Sequence, residues 1–356
     1  MKIGIFDPYL DTLGGGEKYM LTAAMCLSKR HQVSVFWDRP DMLQRAEERF
    51  GLDLSKVTCV RNIFSKQVSL VTRLTTSAPF DAIFYLSDGS IPVVLSKKLY
   101  LHAQFPMPWV NGKSLGNRLK MLRVTKIISN SEFTKQHTDK TFGTNSVVVY
   151  PPATGEFPKF PMQKTNTILS VGRFGIVGEK STFKKQEEMI RAFKKMIDAG
   201  LTQWKLILVV SYRQEDREKT KFLFDEIKGY PIDIRTNVSF EELHKLYATA
   251  KIYWHASGFG EDLDKYPQRA EHFGIATVQA MEQGAVPVVI NAGGQPEIIR
   301  NGENGFLWDS EEKLIAQTHD LIKDQKLWKK ISEHARQSVS GFSIDAFCKH
   351  IISAIA

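Results

Sequence analysis

Glu271-His272-Phe273-Gly274-Ile275-Ala276-Thr277-Val278-Gln279-Ala280-Met281-Glu282-Gln283-Gly284 runs on into Ala285-Val286-Pro287-Val288-Val289-Ile290-Asn291-Ala292-Gly293-Gly294-Gln295-Pro296-Glu297-Ile298-Ile299. An acidic residue, a Phe-Gly turn, a helix opening, an apolar strand and a second Gly-rich turn follow one another without a break. Gly274 lets backbone approach a ligand closely. The first N–H groups of the helix after it have no internal partner, and the helix dipole favours an anion there. Phe273, Gly274, Ile275, Ala276 and Thr277 therefore read as a phosphate cradle, with the Thr277 hydroxyl as a further donor. Glu271 stands just ahead of it, where a carboxylate either caps the helix or faces a developing positive charge.

The same alternation of short apolar runs and helical patterns extends along the whole chain, which predicts an α/β fold with largely parallel sheets. In the first half the expected strands are 2–6, 32–36, 82–85, 98–102, 126–129 and 146–150. A helix over 17–29 places Met20, Ala23, Ala24 and Leu27 on one face. Four prolines, Pro151, Pro152, Pro158 and Pro161, then exclude a helix interior and mark a linker. After it strands are expected at 167–171, 204–210, 252–255, 286–290 and 306–307. Helices are expected at 187–199, 215–227 and 241–248, the last opened by a capping box of Ser239 and Glu242. Two Rossmann-like domains follow, an N-terminal one over 1–158 and a C-terminal one over 159–343, with a final helical pattern at 344–356.

Length (356 residues) fits two domains, and no apolar run approaches the roughly 20 residues that span a bilayer. The N-terminus reads as a strand, not as a signal peptide. Cys26, Cys59 and Cys348 are far apart and odd in number, so free thiols in a reducing cytoplasm are expected. Net charge is +9, and it is uneven: residues 1–158 hold 20 Lys and Arg against 13 Asp and Glu, while the rest hold 28 against 26. Such an excess suits an acidic partner, or simply solubility. Lys113, Arg118, Lys120, Arg123 and Lys126 alternate with Leu115, Leu119, Met121 and Leu122, a composition that fits either a solvated helix or a peripheral contact with anionic lipid headgroups. No nucleic-acid motif and no metal-ligand spacing is present.

Three further segments carry candidate chemistry. Gly172-Arg173 ends a strand and Lys184 precedes a helix, which brings an Arg fork and a Lys point charge into one short segment. Gly14, Gly15, Gly16 and Glu17 open the first helix after Leu13, which is ten residues beyond Ile3 of the first strand; this departs from the dinucleotide fingerprint and disfavours NAD. His102 closes a strand, a position that is often structural.

Together these motifs resemble the retaining GT-B glycosyltransferases of family four, the group 1 glycosyl transferases. The Glu-His-Phe-Gly form at 271–274 is similar to that of the cytosolic mannosyltransferases of the dolichol pathway. The resemblance implies two Rossmann-like domains facing a cleft, with the 344–356 helix crossing back to the first. It implies an acceptor domain first and a nucleotide-sugar domain second. It further implies Glu271 and His102 beside the donor sugar, Arg173 and Lys184 on the diphosphate, and Gly14–Glu17 lining the acceptor side. Gln279 stands where the family's E-x7-E motif has its second Glu, which usually binds the nucleotide ribose. The implied activity is metal-independent and cofactor-independent transfer of a hexosyl group from a nucleotide sugar to a hydroxyl. GDP-mannose is the expected donor with UDP-sugars open, and the acceptor is a glycan or lipid-linked glycan. The implied place is the cytoplasm, peripheral to the inner face of a membrane, with no nucleic-acid partner. A sugar-nucleotide-binding scaffold without catalysis, an epimerase and a phosphorylase remain open as alternatives.

Overall fold

The computed structural model describes residues 1–155, 162–175, 181–212 and 214–355. The chain forms two compact units, Met1–Pro152 with Phe342–Ala356, and Ala153–Gly341. The boundary expected after Pro158 lies outside the described residues, and the division falls at Pro152.

The first unit runs β1 (Lys2–Phe6), α1 (Gly15–Ser28), β2 (Gln32–Phe36), α2 (Asp41–Phe50), β3 (Val57–Val60), α3 (Leu70–Ser77), β4 (Ala82–Leu86), β5 (Lys98–Ala103), α4 (Leu115–Met121), β6 (Lys126–Ser129), α5 (Glu132–Phe142) and β7 (Val147–Val148). Its sheet has the order β3-β2-β1-β4-β5-β6-β7, and every pairing is parallel. Helices cover both faces, so the inner strands are largely apolar and buried; all five residues of β4 are buried. Met20, Ala23, Ala24 and Leu27 of α1 enter the core, as their spacing predicts.

The second unit runs β8 (Thr165–Arg173), α6 (Gln186–Asp198), β9 (Lys205–Ser211), α7 (Lys221–Glu226), β10 (Ile232–Thr236), α8 (Phe240–Thr249), β11 (Ala250–His255), α9 (Ile275–Glu282), β12 (Val286–Ile290), α10 (Gln295–Ile298), β13 (Phe306–Trp308), α11 (Glu311–Lys323) and α12 (Gln325–Ser338). The order is β10-β9-β8-β11-β12-β13, again parallel. The chain builds outward from β8 to β10, returns to β11 and builds outward the other way. The switch therefore lies between β8 and β11, and ligands of open α/β sheets gather at such a point, beyond the C-terminal ends of the strands. In the first unit the switch lies between β1 and β4.

Two strands, β3 and β10, have no counterpart in the sequence reading. Each lies at a sheet edge with one neighbour, so neither needs the continuous apolar run that marks the others. The capping box at α8 is half formed: Ser239 Oγ accepts from the Glu242 N–H at 3.1 Å, but the Glu242 carboxylate binds Arg235 instead of returning to the cap.

The final helix, α13 (Ile344–Ile355), belongs to the first unit and packs on α1. The Tyr100 hydroxyl donates to Ile355 O at 2.9 Å and Lys126 Nζ to Ala354 O at 3.1 Å. The expectation of free thiols is corrected here: Cys26 of α1 and Cys348 of α13 form a disulfide, and Cys59 alone is free. The two cysteines are 322 residues apart in sequence, so no local spacing signals the pair. Closing so long a loop restricts the unfolded chain, an effect on the order of 2–5 kcal/mol. Cys348→Ser should lower the melting temperature, and a reductant should lower that of the wild type but not of the variant; scanning calorimetry checks both.

Candidate active site

The site of the second unit is built at its switch point. β8 ends at Arg173, β11 ends at His255, and Glu271 follows after a fifteen-residue loop. Gly274, at φ +122°, caps α9, a backbone conformation that L side chains rarely adopt. Gly293 and Gly294 hold the next loop against this one. A Cβ on Gly293 would lie 2.1 Å from the Glu271 carbonyl oxygen, and one on Gly294 would lie 2.5 Å from that of His272. The Gly294 N–H donates to Glu271 O at 2.8 Å and completes the contact.

The Glu271 side chain is the centre of this arrangement. Its Oε2 accepts from Lys184 Nζ at 2.6 Å and from His255 Nε2 at 2.9 Å. Burial would raise the carboxyl's pKa, but the Lys184 ammonium and the His255 bond outweigh it and hold the group well below the usual carboxylate range. Glu271 is therefore an anion at neutral pH. The stem of Lys184 crosses Gly172 of β8, where a Cβ would meet Lys184 Cγ at 2.9 Å. The Gly in Gly172-Arg173 thus makes room for the lysine, a role that sequence spacing does not reveal. Arg173 itself is exposed at the end of β8.

Lys184 and Lys185 go to different carboxylates. Lys185, buried and at φ +53°, pairs with Glu261 at 2.5 Å, and Arg269 binds the other oxygen of Glu261 at 2.7 Å. Ser257 Oγ donates to Phe183 O at 3.0 Å. Residues 257–262, which follow β11, are thereby anchored to the residues that precede α6. Residues 176–180, between Arg173 and Lys184, lie outside the described residues.

Around the start of α9, Ile275 and Ala276 are half-buried, while Phe273, Thr277 and Gln279 are buried. Thr277 is fully enclosed, so its hydroxyl is not presented beside the free N–H groups as the sequence reading expects. The accessible part of the cradle is Ile275 and Ala276.

In the first unit, the Gly14 N–H donates to Glu17 Oε2, so one of the expected ligand donors is satisfied within the turn itself. Gly15 and Gly16 begin α1, and a Cβ on Gly16 would run into the Gln104 carboxamide. Glu17 is buried, as is Asp7 at the end of β1. Burial first, and Glu17 second, push the Asp7 carboxyl up to about 8, a perturbation that no motif signals. His102 is completely buried and stacks on Tyr19 with ring centres 4.0 Å apart. Its Nδ1–H donates to Ile128 O at 3.0 Å, which leaves Nε2 as a bare acceptor, and burial pushes the imidazole down to about 3. It is neutral at any physiological pH.

The structure thus joins Glu271 to Lys184 and adds His255, which the sequence reading omits. A His at a strand end, sixteen residues before a candidate Glu, was a visible signal, but nothing local shows that the intervening loop folds back.

The family model for glycosyl transferases group 1 matches residues 156–338, just over half of the chain. The chain belongs to the group 1 glycosyl transferases. Among its relatives, a Xenopus laevis protein named GDP-Man:Man(3)GlcNAc(2)-PP-Dol alpha-1,2-mannosyltransferase is 24% identical over 97% of this chain and 85% of its own length. The alpha-1,3/1,6-mannosyltransferase ALG2 of Rhizomucor pusillus is 26% identical over 99% of this chain and 90% of its own. Among solved structures, Anabaena HepE in complex with UDP aligns over 99% of both chains at TM-score 0.74 and 17% identity. WaaG, a glycosyltransferase of lipopolysaccharide biosynthesis, aligns over all of both chains at TM-score 0.66 and 13% identity. The solved structures give the chain the GT-B fold, and its family makes it a glycosyltransferase.

Proposed function

We propose that this glycosyltransferase moves mannose from GDP-mannose to a hydroxyl of a lipid-linked glycan, with retention of anomeric configuration and without a metal or other cofactor. The observation that carries the reading is the ionised Glu271, held by Lys184 beside the half-buried start of α9. An anionic diphosphate fits the free N–H groups and the cations Lys184 and Arg173, and the carboxylate faces positive charge that develops on the sugar as the diphosphate leaves. The mannose lean rests on the names of the relatives, and the UDP seen in HepE keeps uridine donors in the comparison. Gly14–Glu17 would line the acceptor side; the resemblance sets His102 beside the donor sugar, but its complete burial leaves it a supporting residue.

A lipid-linked acceptor places the enzyme at the cytoplasmic face of a membrane, and α4 supplies a surface for that. No residue of α4 is buried, and Leu115, Leu119 and Leu122, at helical spacing, are 76%, 59% and 82% exposed. Between Asp88 and Glu132 the sequence has seven Lys and Arg and no acidic residue. Exposed apolar side chains flanked in sequence by Lys and Arg match an anionic bilayer surface. Among the described residues no helix is long and apolar enough to cross a membrane.

A thermal-shift panel of GDP-, UDP-, ADP- and dTDP-sugars tests the donor. At a hundred times its Kd the true donor should add about 2.7 kcal/mol of stability. A selective GDP-mannose shift supports the reading, and a selective UDP-sugar shift replaces the donor. Silence across a folded sample rejects the site. Gln279 favours one rival, a protein that binds the donor without turning it over; a shift with no transfer or hydrolysis would select it.

A further inference from the structure

We propose that His255 is a positioning residue for Glu271, fixing which carboxylate oxygen meets the donor sugar. The proposal rests on the donor-site reading above. His255 closes β11, an interior strand, in register with Val289 of β12, and its side chain is 4% exposed. The ring therefore has a rigid base. Glu271 follows a long loop, and its carboxylate reaches back to that ring across sixteen residues.

The hydrogen-bond chemistry defines the ring's state. A carboxylate only accepts, so Nε2 carries the proton. The other nitrogen, Nδ1, is buried and has no hydrogen-bond partner among the described residues. Burial lowers the ring's pKa against the opposing pull of Glu271, so the imidazole stays neutral. His255 thus adds a fixed N–H donor but no second cation. Lys184 could hold the carboxylate alone only through a flexible four-carbon stem, which sets a charge but not an orientation. With both donors on Oε2, the plane of the carboxylate is fixed and Oε1 is the oxygen left for the sugar. Misplacement of a reacting group by about 1 Å can cost on the order of a hundredfold in rate.

The test compares His255→Phe, which keeps a ring but removes the donor, with His255→Gln, which keeps an N–H able to reach Glu271. Turnover is measured with the donor identified by the thermal-shift panel, and Kd is measured for the nucleoside diphosphate alone. His255→Phe should lower kcat about tenfold and leave that Kd within twofold, and His255→Gln should recover most of the loss. In a Glu271→Gln background, His255→Phe should have little further effect, since the two act through one oxygen. Full activity in His255→Phe, or equal losses in both variants with additive effects in the double mutant, would overturn the proposal and make His255 a core residue. If His255→Phe does not fold, His255→Met, which matches His255→Gln in size but lacks the N–H donor, takes its place in the single and double-mutant comparisons with the same expected and overturning outcomes. Failure of the underlying reading looks different: Glu271→Gln would itself be fully active.

Discussion

Glu271→Ala is expected to lower turnover at least tenfold while leaving the protein folded, and Lys184→Ala should do the same. A tenfold loss corresponds to about 1.4 kcal/mol of transition-state stabilisation, a modest demand on a carboxylate beside a developing cation in a site largely shielded from water. The two variants should differ in their response to pH. Glu271 owes its low pKa to Lys184 and His255 acting against burial. Removing Lys184 lets burial raise the carboxyl again, so residual activity should be lost at a higher pH on the acid side than in the wild type. The same depression contributes stability, present above the unfolded-state pKa and lost as pH falls through the folded one. Steady-state kinetics across pH, with circular dichroism as the folding check, measures both effects. Near-native turnover in either variant would remove that residue from the mechanism.

Gly293→Ala should strongly disrupt the second unit. The position has φ +63°, and its Cβ would stand 2.1 Å from the backbone oxygen of Glu271. Backbone cannot yield as the end of a flexible side chain can, so the 271–274 turn or the 293–295 loop must move. Strain and clash together should cost about 2–4 kcal/mol. The displacement acts on the carboxylate and on the start of α9 at once, so donor Kd should rise at least tenfold along with a fall in melting temperature. Gly302→Ala is the control: its φ is +78°, but nothing lies within 4 Å of the new Cβ, and only about 1–2 kcal/mol of backbone strain is expected. Calorimetric titration and melting of both variants separate the two contributions. Unchanged donor affinity in Gly293→Ala would mean that contact between the two loops is not needed for binding.

Much of this was legible in the chain. The parallel α/β architecture follows from apolar runs such as Ala82–Leu86 and Val286–Ile290, because strands covered on both faces carry apolar residues without alternation. The edge strands Val57–Val60 and Ile232–Thr236 were not legible, since one neighbour and partial burial leave a weak pattern. Glu271, Gly274 and Lys184 were readable as types at a spacing; Thr277 and His102 were readable too, but their burial was not. Conversely, the Glu261 that anchors the 257–262 loop looks like any loop carboxylate until Lys185 and Arg269 are seen on it.

The sequence by itself determined the repeated strand-and-helix pattern, the Gly turns and the residue types at the donor site, because these depend on periodicity and on local backbone freedom. Only the tertiary structure decided that His255 and Lys184 share one oxygen of Glu271, and that Cys26 meets Cys348. It also decided that Gly172 and Gly293 exist to admit a neighbour. Each of these is a contact between residues distant in sequence, and the chain's own short-range preferences carry no information about which distant atoms share a site.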